Sequence, residues 1–325
     1  MGVFTPIDGA SISFFATYIR ITYMVSNISP QVSFCIVNLN ARDYLRACLD
    51  RLPEAATQIT WEVIIVDNGS TDGSVEMIRT EFPWVRLICN ETNLGYTRPM
   101  NQALHVAQGE FLVQLNPDTL PGEGAFDKLY SFMRANPEVG ICGPKVLNRD
   151  GTLQRQCRRS AARPWDVVTY FSGLWRLFPH SRLFGRYLLA YLPEDETAEV
   201  EAVSGSCMMV RRAVIDQIGY LDEQFFAYQE DSDFCFRARQ AGWKVFYYPE
   251  AVVVHYGGFG GSRTQPYRGI IEWHRSYLRY YRKHLAKDYC FLVNGLMYLG
   301  VGLRLSLSLV KAFFSREKVV GTKKP

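Results

Sequence analysis

What this sequence lacks narrows it before any motif is read. Its eight cysteines are scattered and no two form a Cys-x-x-Cys pair. That argues against a zinc site or a disulfide framework and fits a reducing cytosol. Neither sign of charge dominates: 36 Lys and Arg against 32 Asp and Glu leave a net +4, too mild to indicate nucleic acid as a partner. The first ~25 residues have no basic start, apolar core and small-residue cleavage site, so no signal peptide is read there. Met24 stands just before the first strong strand, and residues 1–29 read as an N-terminal extension. Glycine is missing after that strand, where Val37-Asn-Leu-Asn-Ala-Arg42 runs on without one. A nucleotidyltransferase would carry a Gly-rich, cationic phosphate loop there. The longest apolar run is interrupted by Arg304, leaving it short of the ~20 residues of a membrane span.

Turning to what is present, 325 residues with 48% hydrophobic content support a large core and exclude a wholly disordered chain. The chain is organised around Phe111-Leu-Val-Gln-Leu-Asn-Pro-Asp-Thr119. Five mostly apolar residues predict a buried strand, and Pro117 cannot continue a ladder. A strand stopping there puts Asp118 at the carboxyl edge of a sheet, where open α/β sheets bind ligands. Asp118 could hold a divalent cation, and that cation a diphosphate. The same Asn-Pro-Asp is equally good turn chemistry.

The flanking chain alternates strands and helices. Val32–Leu39 predicts a strand, with Asn40 capping a helix whose apolar positions run Ala41, Tyr44, Leu45, Cys48, Leu49 and Leu52. Trp61–Val66 is a second strand, ending in Asp67-Asn-Gly-Ser-Thr-Asp72 before a helix near 73–80. Val85–Cys89 is a third, followed by the turn Asn93-Leu-Gly95 and a helix from Pro99 to Ala107. This spacing predicts a parallel sheet with right-handed crossovers. Parallel strands would then bring Asn38, Asp67 and Asp118 to one edge. A helix over 123–135 and a strand over 140–147 complete this half.

Residues 149–193 differ in character. Arg155, Arg158, Arg159, Arg163, Arg176, Arg182 and Arg186 alternate with Trp165, Trp175 and several Phe and Tyr. Arginine among aromatics suits an acceptor or membrane side; an ordinary insertion with solvated arginines fits as well. Ala202–Val210 returns to strand, with Ser204-Gly205-Ser206 small enough for a ligand to approach the backbone. Next, Phe225-Phe-Ala-Tyr-Gln-Glu-Asp-Ser-Asp233 leads aromatics into three acids at a helix start. Helix-dipole preference accounts for acids there. A carboxylate crowded by aromatics could also serve as a general base. Trp243–Tyr248 and Ala251–His255 are the last two strands, and His255 precedes the glycine-rich run 257–261. Residues 263–325 form a helical, basic and aromatic tail. Arg304, Ser308, Lys311 and Ser315 make one polar stripe, as in an amphipathic helix lying in a membrane surface, with Lys318, Lys323 and Lys324 meeting anionic lipid.

Taken together, these motifs resemble glycosyltransferase family 2, the inverting GT-A enzymes, and within it the bacterial rhamnosyltransferase-like branch. The resemblance rests on Val37–Asn40, Val66–Asp72, Asn93–Tyr96 with Asn101, Leu115–Asp118, Gly205–Met209, Phe225–Asp233 with Arg237 and Gly242-Trp243, and His255. It implies an α/β GT-A nucleotide-sugar-binding fold over residues 30–262, with a mostly parallel central sheet and the helical tail behind it. It implies that Asn38, Asp67, Asn93, Gly95, Asn101, Asn116 and Gly205 bind the nucleotide-sugar. Asp118, with His255, would hold Mg2+ or Mn2+, and Asp231 would be the catalytic base. Asn116 stands where the family's Asp-x-Asp motif has its first acid, and Arg98-Pro99 follows a turn usually flanked by small residues. The implied partners are a dTDP- or UDP-sugar donor, a lipid-linked saccharide acceptor and the cytoplasmic face of the inner membrane. Alternatives are a non-catalytic nucleotide-sugar-binding scaffold and a transferase using a UDP-sugar. A processive synthase would need several spans and a Gln-x-x-Arg-Trp motif, which the sequence lacks.

Overall fold

The structure, a computed structural model, describes residues 29–258 and 266–314. The extension before residue 29, the glycine run from 259, and Ser315, Lys318, Lys323 and Lys324 lie outside the described residues.

In chain order, β1 (Val32–Asn38), α1 (Arg42–Ala55), β2 (Trp61–Asp67), α2 (Ser74–Glu81), β3 (Arg86–Cys89), α3 (Thr97–Val106) and β4 (Phe111–Leu115) form the alternating half. Then come β5 (Thr119–Pro121), α4 (Ala125–Ala135), β6 (Val139–Leu147), β7 (Arg158–Arg159), α5 (Pro164–Ser172) and α6 (Leu174–Leu177). The rest comprises β8 (Ala198–Glu199), β9 (Ala202–Val203), β10 (Cys207–Arg211), α7 (Arg212–Ile218), α8 (Glu230–Gln240), β11 (Lys244–His255), α9 (Pro266–Tyr280) and α10 (Phe291–Phe314).

The main sheet runs β3-β2-β1-β4-β10-β6-β11-β5, with β8 also on β11. The first four strands are parallel, in register Val32↔Trp61 and Val32↔Phe111. Their central members are buried on both faces, as a sheet covered by helices requires. The expected continuation is modified at β10, which inserts antiparallel between β4 and β6. Its reversed direction brings the start of β10 to the same edge as the end of β4, with Cys207 opposite Leu115. β11 pairs parallel with β6, so its last residue, His255, reaches that edge too. The ends of β1, β2, β4 and β11 and the start of β10 thus share one rim.

Several local expectations are corrected. Asn40 does not cap α1: it is left-handed (φ 51°) and its side chain accepts from the Thr71 backbone N–H. Asp72 takes that duty, one oxygen accepting from Arg42 N and the other from Ser74 N at the start of α2. Pro99 is the third residue of α3 rather than the first, still within the turn whose N–H groups lack helical partners. The strand expected over 202–210 is two strands, broken at Ser204–Ser206. The two final strands are one, because a register shift between Tyr248 and Val252 absorbs Pro249 as a bulge. A five-residue π-helical turn, Tyr281–Leu285, follows α9.

The tail helix α10 is 24 residues long and, by length and composition, apolar enough to cross a bilayer. Met297 and Val301 pack against Tyr277, Tyr280 and Tyr281. Leu296, Leu299, Leu303, Leu307 and Val310 are exposed. Arg304 does not sit on a free polar stripe: its guanidinium lies 3.4 Å from the centre of the Phe171 ring.

Candidate active site

A cavity of about 340 Å³ opens at the shared rim. Of the residues expected to form a site, Asn93, Gly95, Asn116, Asp118, Gly205, Asp231 and His255 line it. Asn38 and Asp67 lie behind its wall, which is made there by Val37, Leu39 and Asn68. The Asn38 amide donates to Asp67 Oδ2 at 2.8 Å, and Asp67 Oδ1 accepts from Ser70 N at 2.9 Å. This pair fixes two loops against each other. Asn101 is not brought to the cavity. Its amide bridges to the Leu221 backbone, donating to the carbonyl at 2.9 Å and accepting from the N–H at 3.1 Å.

The Asn93–Gly95 turn is held by its neighbours. Asn93 Oδ1 accepts from Gly95 N, and Asn68 clamps the turn through the Gly95 carbonyl and Leu94 N. Gly95 has φ +92°, and a Cβ there would stand 2.4 Å from the Phe226 carbonyl oxygen. Only glycine satisfies both conditions. The adjoining Tyr96 N donates to that carbonyl, seating the turn on the loop before α8.

At the end of β4, Asp118 is almost fully buried and its Oδ1 lies 3.2 Å from His255 Nε2. Asn116 Nδ2 is also 3.2 Å from that nitrogen. His255 Nδ1 is 2.8 Å from Gln154 Oε1, an acceptor whose orientation is fixed because Gln154 Nε2 donates to Asn148. The proton of a neutral imidazole therefore belongs on Nδ1, leaving the Nε2 lone pair facing Asp118. The carboxylate oxygen and the imidazole nitrogen stand close enough for one cation, a proton or a metal ion, to lie against both. The donor set, one carboxylate and one imidazole, fits a divalent ion that takes its other ligands from phosphate oxygens and water. No three His, Cys, Asp or Glu side chains form a closed metal cluster among the described residues.

Across the cavity, two consecutive non-glycine residues in left-handed conformation, Tyr228 (φ 67°) and Gln229 (φ 64°), lead into α8. Such backbone costs roughly 1–2 kcal/mol per residue, and it is found here at the entrance to the acid pair. Asp231 accepts from Arg159 Nη2 at 2.7 Å and Gly205 N at 3.0 Å on one oxygen, and from Ser232 N at 2.7 Å on the other. Glu230 Oε2 is buried with no hydrogen-bond partner among the described residues. Burial and then the neighbouring Asp231 charge push the Glu230 carboxyl up to about 8. Asp233 points away from the cavity and accepts from His284 and Lys283, each at 2.7 Å, and from Arg237 at 2.8 Å. Burial opposes its charge, but these three donors prevail and hold its carboxyl at about 2.

Several cavity residues escaped the sequence reading, among them Arg268, Glu272 and Trp273 of α9 and two that touch the acid pair, Arg159 and Glu230. Arg159 was one basic residue among many, and nothing local marks it, since its partner lies 72 positions away. Glu230 was visible in the motif but was accounted for by helix-dipole preference.

The sequence signature of glycosyl transferase family 2 matches residues 33–219, more than half of the chain. The chain belongs to glycosyl transferase family 2. Over 235 residues it is 30% identical to an N-acetylglucosaminyl-diphospho-decaprenol L-rhamnosyltransferase of Mycobacterium tuberculosis, covering 68% of this chain and 74% of that one. It is 27% identical over 215 residues to a low-salt glycan biosynthesis hexosyltransferase of Haloferax volcanii, covering 64% and 62%. Among solved structures, a mannosyltransferase of Pyrobaculum calidifontis in complex with GDP-Man and Mn2+ superposes with TM-score 0.51 at 17% identity, covering 95% of this chain and 96% of that one. The fold is thus GT-A-like, and the protein is a rhamnosyltransferase-like family 2 glycosyltransferase.

Proposed function

We propose that this transferase moves one sugar, L-rhamnose from dTDP-rhamnose, onto a lipid-linked saccharide for surface polysaccharide, at the cytoplasmic face of the inner membrane. The observation that carries the reading is that Asp118 with His255, and Asp231, face one cavity from different strand ends and loops. Residues 30–262 would be the transferase domain. The tail over 263–325 would be its peripheral membrane attachment. The donor sugar and the lipid acceptor rest on the named activity of the M. tuberculosis relative; a UDP-sugar donor suits the same cavity chemistry.

Asp118 and His255 would hold Mg2+ or Mn2+ against the donor diphosphate. The ion would stabilise negative charge on the leaving oxygens. The Asn93–Gly95 turn and Asn68 would border the nucleotide, and Gly205 lets a sugar approach the backbone closely. Asp231 accepts the proton of the acceptor hydroxyl while its oxygen attacks the anomeric carbon. The bond from that carbon to the diphosphate breaks, and its electron pair leaves with the nucleoside diphosphate. One displacement inverts the centre, so the reaction requires no second nucleophile.

Asp231→Asn tests the assignment. It should leave dTDP or UDP binding within a factor of two and lower turnover roughly 10²–10⁴-fold, the scale of general-base catalysis. Wild-type turnover in this variant would refute Asp231 as the base.

A further inference from the structure

Glu230 and Asp231 are consecutive acids at the start of α8, and both face the cavity. In a poorly solvated site, two adjacent carboxylates disfavour carrying charge together. We propose that Arg159 is the positioning residue that makes Asp231, and not Glu230, the charged member of this pair. The proposal rests on the reading of Asp231 as base and adds which group readies it.

The partners divide the two acids sharply. Asp231 has donors on both oxygens: Arg159 and Gly205 N on Oδ2, Ser232 N and the Ser232 hydroxyl on Oδ1. Glu230 Oε2 has none among the described residues. Backbone donors favour the ionised form, and an opposite charge in contact favours it further. Arg159 supplies that charge from β7, with its side chain 11% exposed. It comes from the basic insertion and reaches past Val203, to whose carbonyl it also donates. Burial alone would disfavour its charge, but the Asp231 carboxylate more than restores it.

The cavity holds other charged groups: Arg268 and Glu272 line it from α9, the Arg268 guanidinium 4.0 Å from the centre of the Phe226 ring, and Asp118 with His255 lines its far side; Arg159 is the cation bonded to Asp231. Tyr96, just before α3, and Tyr187 of the insertion approach the acid pair, and burial raises both phenols, keeping them neutral. Cys235 is likewise raised by burial. Asp233 is turned toward His284, Lys283 and Arg237. Glu230, raised by burial and by Asp231, is left holding the proton.

Infrared titration of the full chain tests this without a substrate. At pH 7 the wild type should show a protonated-carboxyl band that disappears in Glu230→Gln. In the Glu230→Gln background, Arg159→Gln should make Asp231 take up its proton at least about one pH unit higher, and Arg159→Lys should restore part of that shift. Should Arg159→Gln fail to fold, Arg159→Lys against Glu230→Gln alone gives the same comparison with a smaller shift. Unchanged Asp231 titration in either Arg159 variant, or a wild-type band that survives Glu230→Gln, would overturn the proposal. Full turnover in Asp231→Asn would instead remove the base reading while leaving these spectra as they are, so the two failures are distinguishable.

Discussion

At the scale of single residues, the cavity depends on groups whose identity is dictated by space as much as by chemistry. Gly95 is the sharpest case. Replacing it with alanine puts a methyl against the Phe226 carbonyl in a left-handed backbone. Gly95→Ala should lower the unfolding free energy by about 2 kcal/mol and weaken nucleoside diphosphate binding. Urea unfolding checks the first and calorimetry the second; unchanged values in both would mean that the turn is not held as described. Asp118 and His255 could be placed at the rim from the sequence because each stands where an apolar run stops, Gly205 was marked by its small neighbours, and Asp231 was told from the acids beside it by the family resemblance. Asn101 was expected at the site from the family resemblance, whereas its amide is committed to Leu221, 120 positions away. Arg159 was illegible for the same reason: its role is defined by a partner that only tertiary structure brings near.

At the scale of elements, α8 carries both the acid pair and the anchor of the tail. Asp233 receives His284 and Lys283 from the π-helical turn and Arg237 from its own helix. This fixes the tail to the helix that begins with Glu230. Its carboxyl lies at about 2, below the ordinary 3.8. A depressed carboxylate contributes stability that is complete above the unfolded value and lost as pH falls through the folded one. Asp233→Asn should therefore cost about 3 kcal/mol at pH 7, and the difference from wild type should shrink between pH 4 and 2. An equal difference at pH 7 and pH 2 would assign the loss to shape rather than charge. The strands and helices that were expected lie within a few residues of their places, since hydrophobic period and Gly or Pro punctuation are local, but β5, β7, β8 and the helices α5 and α6 of the insertion were not expected. The errors fell where long-range pairing decides: Ser204–Ser206 breaks a continuous-looking strand to face Asp231, and a bulge joins two apparent strands across Pro249.

At the scale of the whole molecule, the alternating half predicted the parallel strands, but the antiparallel insertion of β10 could not be read from spacing. That insertion is what brings Gly205 to the rim beside Asp118. The other molecular feature is α10, which packs Met297 and Val301 inward and leaves a row of leucines exposed. Moving an exposed leucine into an apolar medium contributes roughly 1.5–3 kcal/mol. Leu299, Leu303 and Leu307 avoid the packed side, so replacing all three with glutamine should preserve folding and release the protein from anionic phospholipid vesicles in flotation. Undiminished flotation would move the attachment to the arginine- and aromatic-rich insertion.

The central claim is that the rim cavity binds a nucleoside diphosphate through a divalent ion held at Asp118. Its most direct test is calorimetric titration of the full chain with dTDP and UDP, with and without Mg2+ or Mn2+. Metal-dependent binding that is lost in Asp118→Ala is the expected result. Binding of equal strength without metal, or in Asp118→Ala, would contradict it.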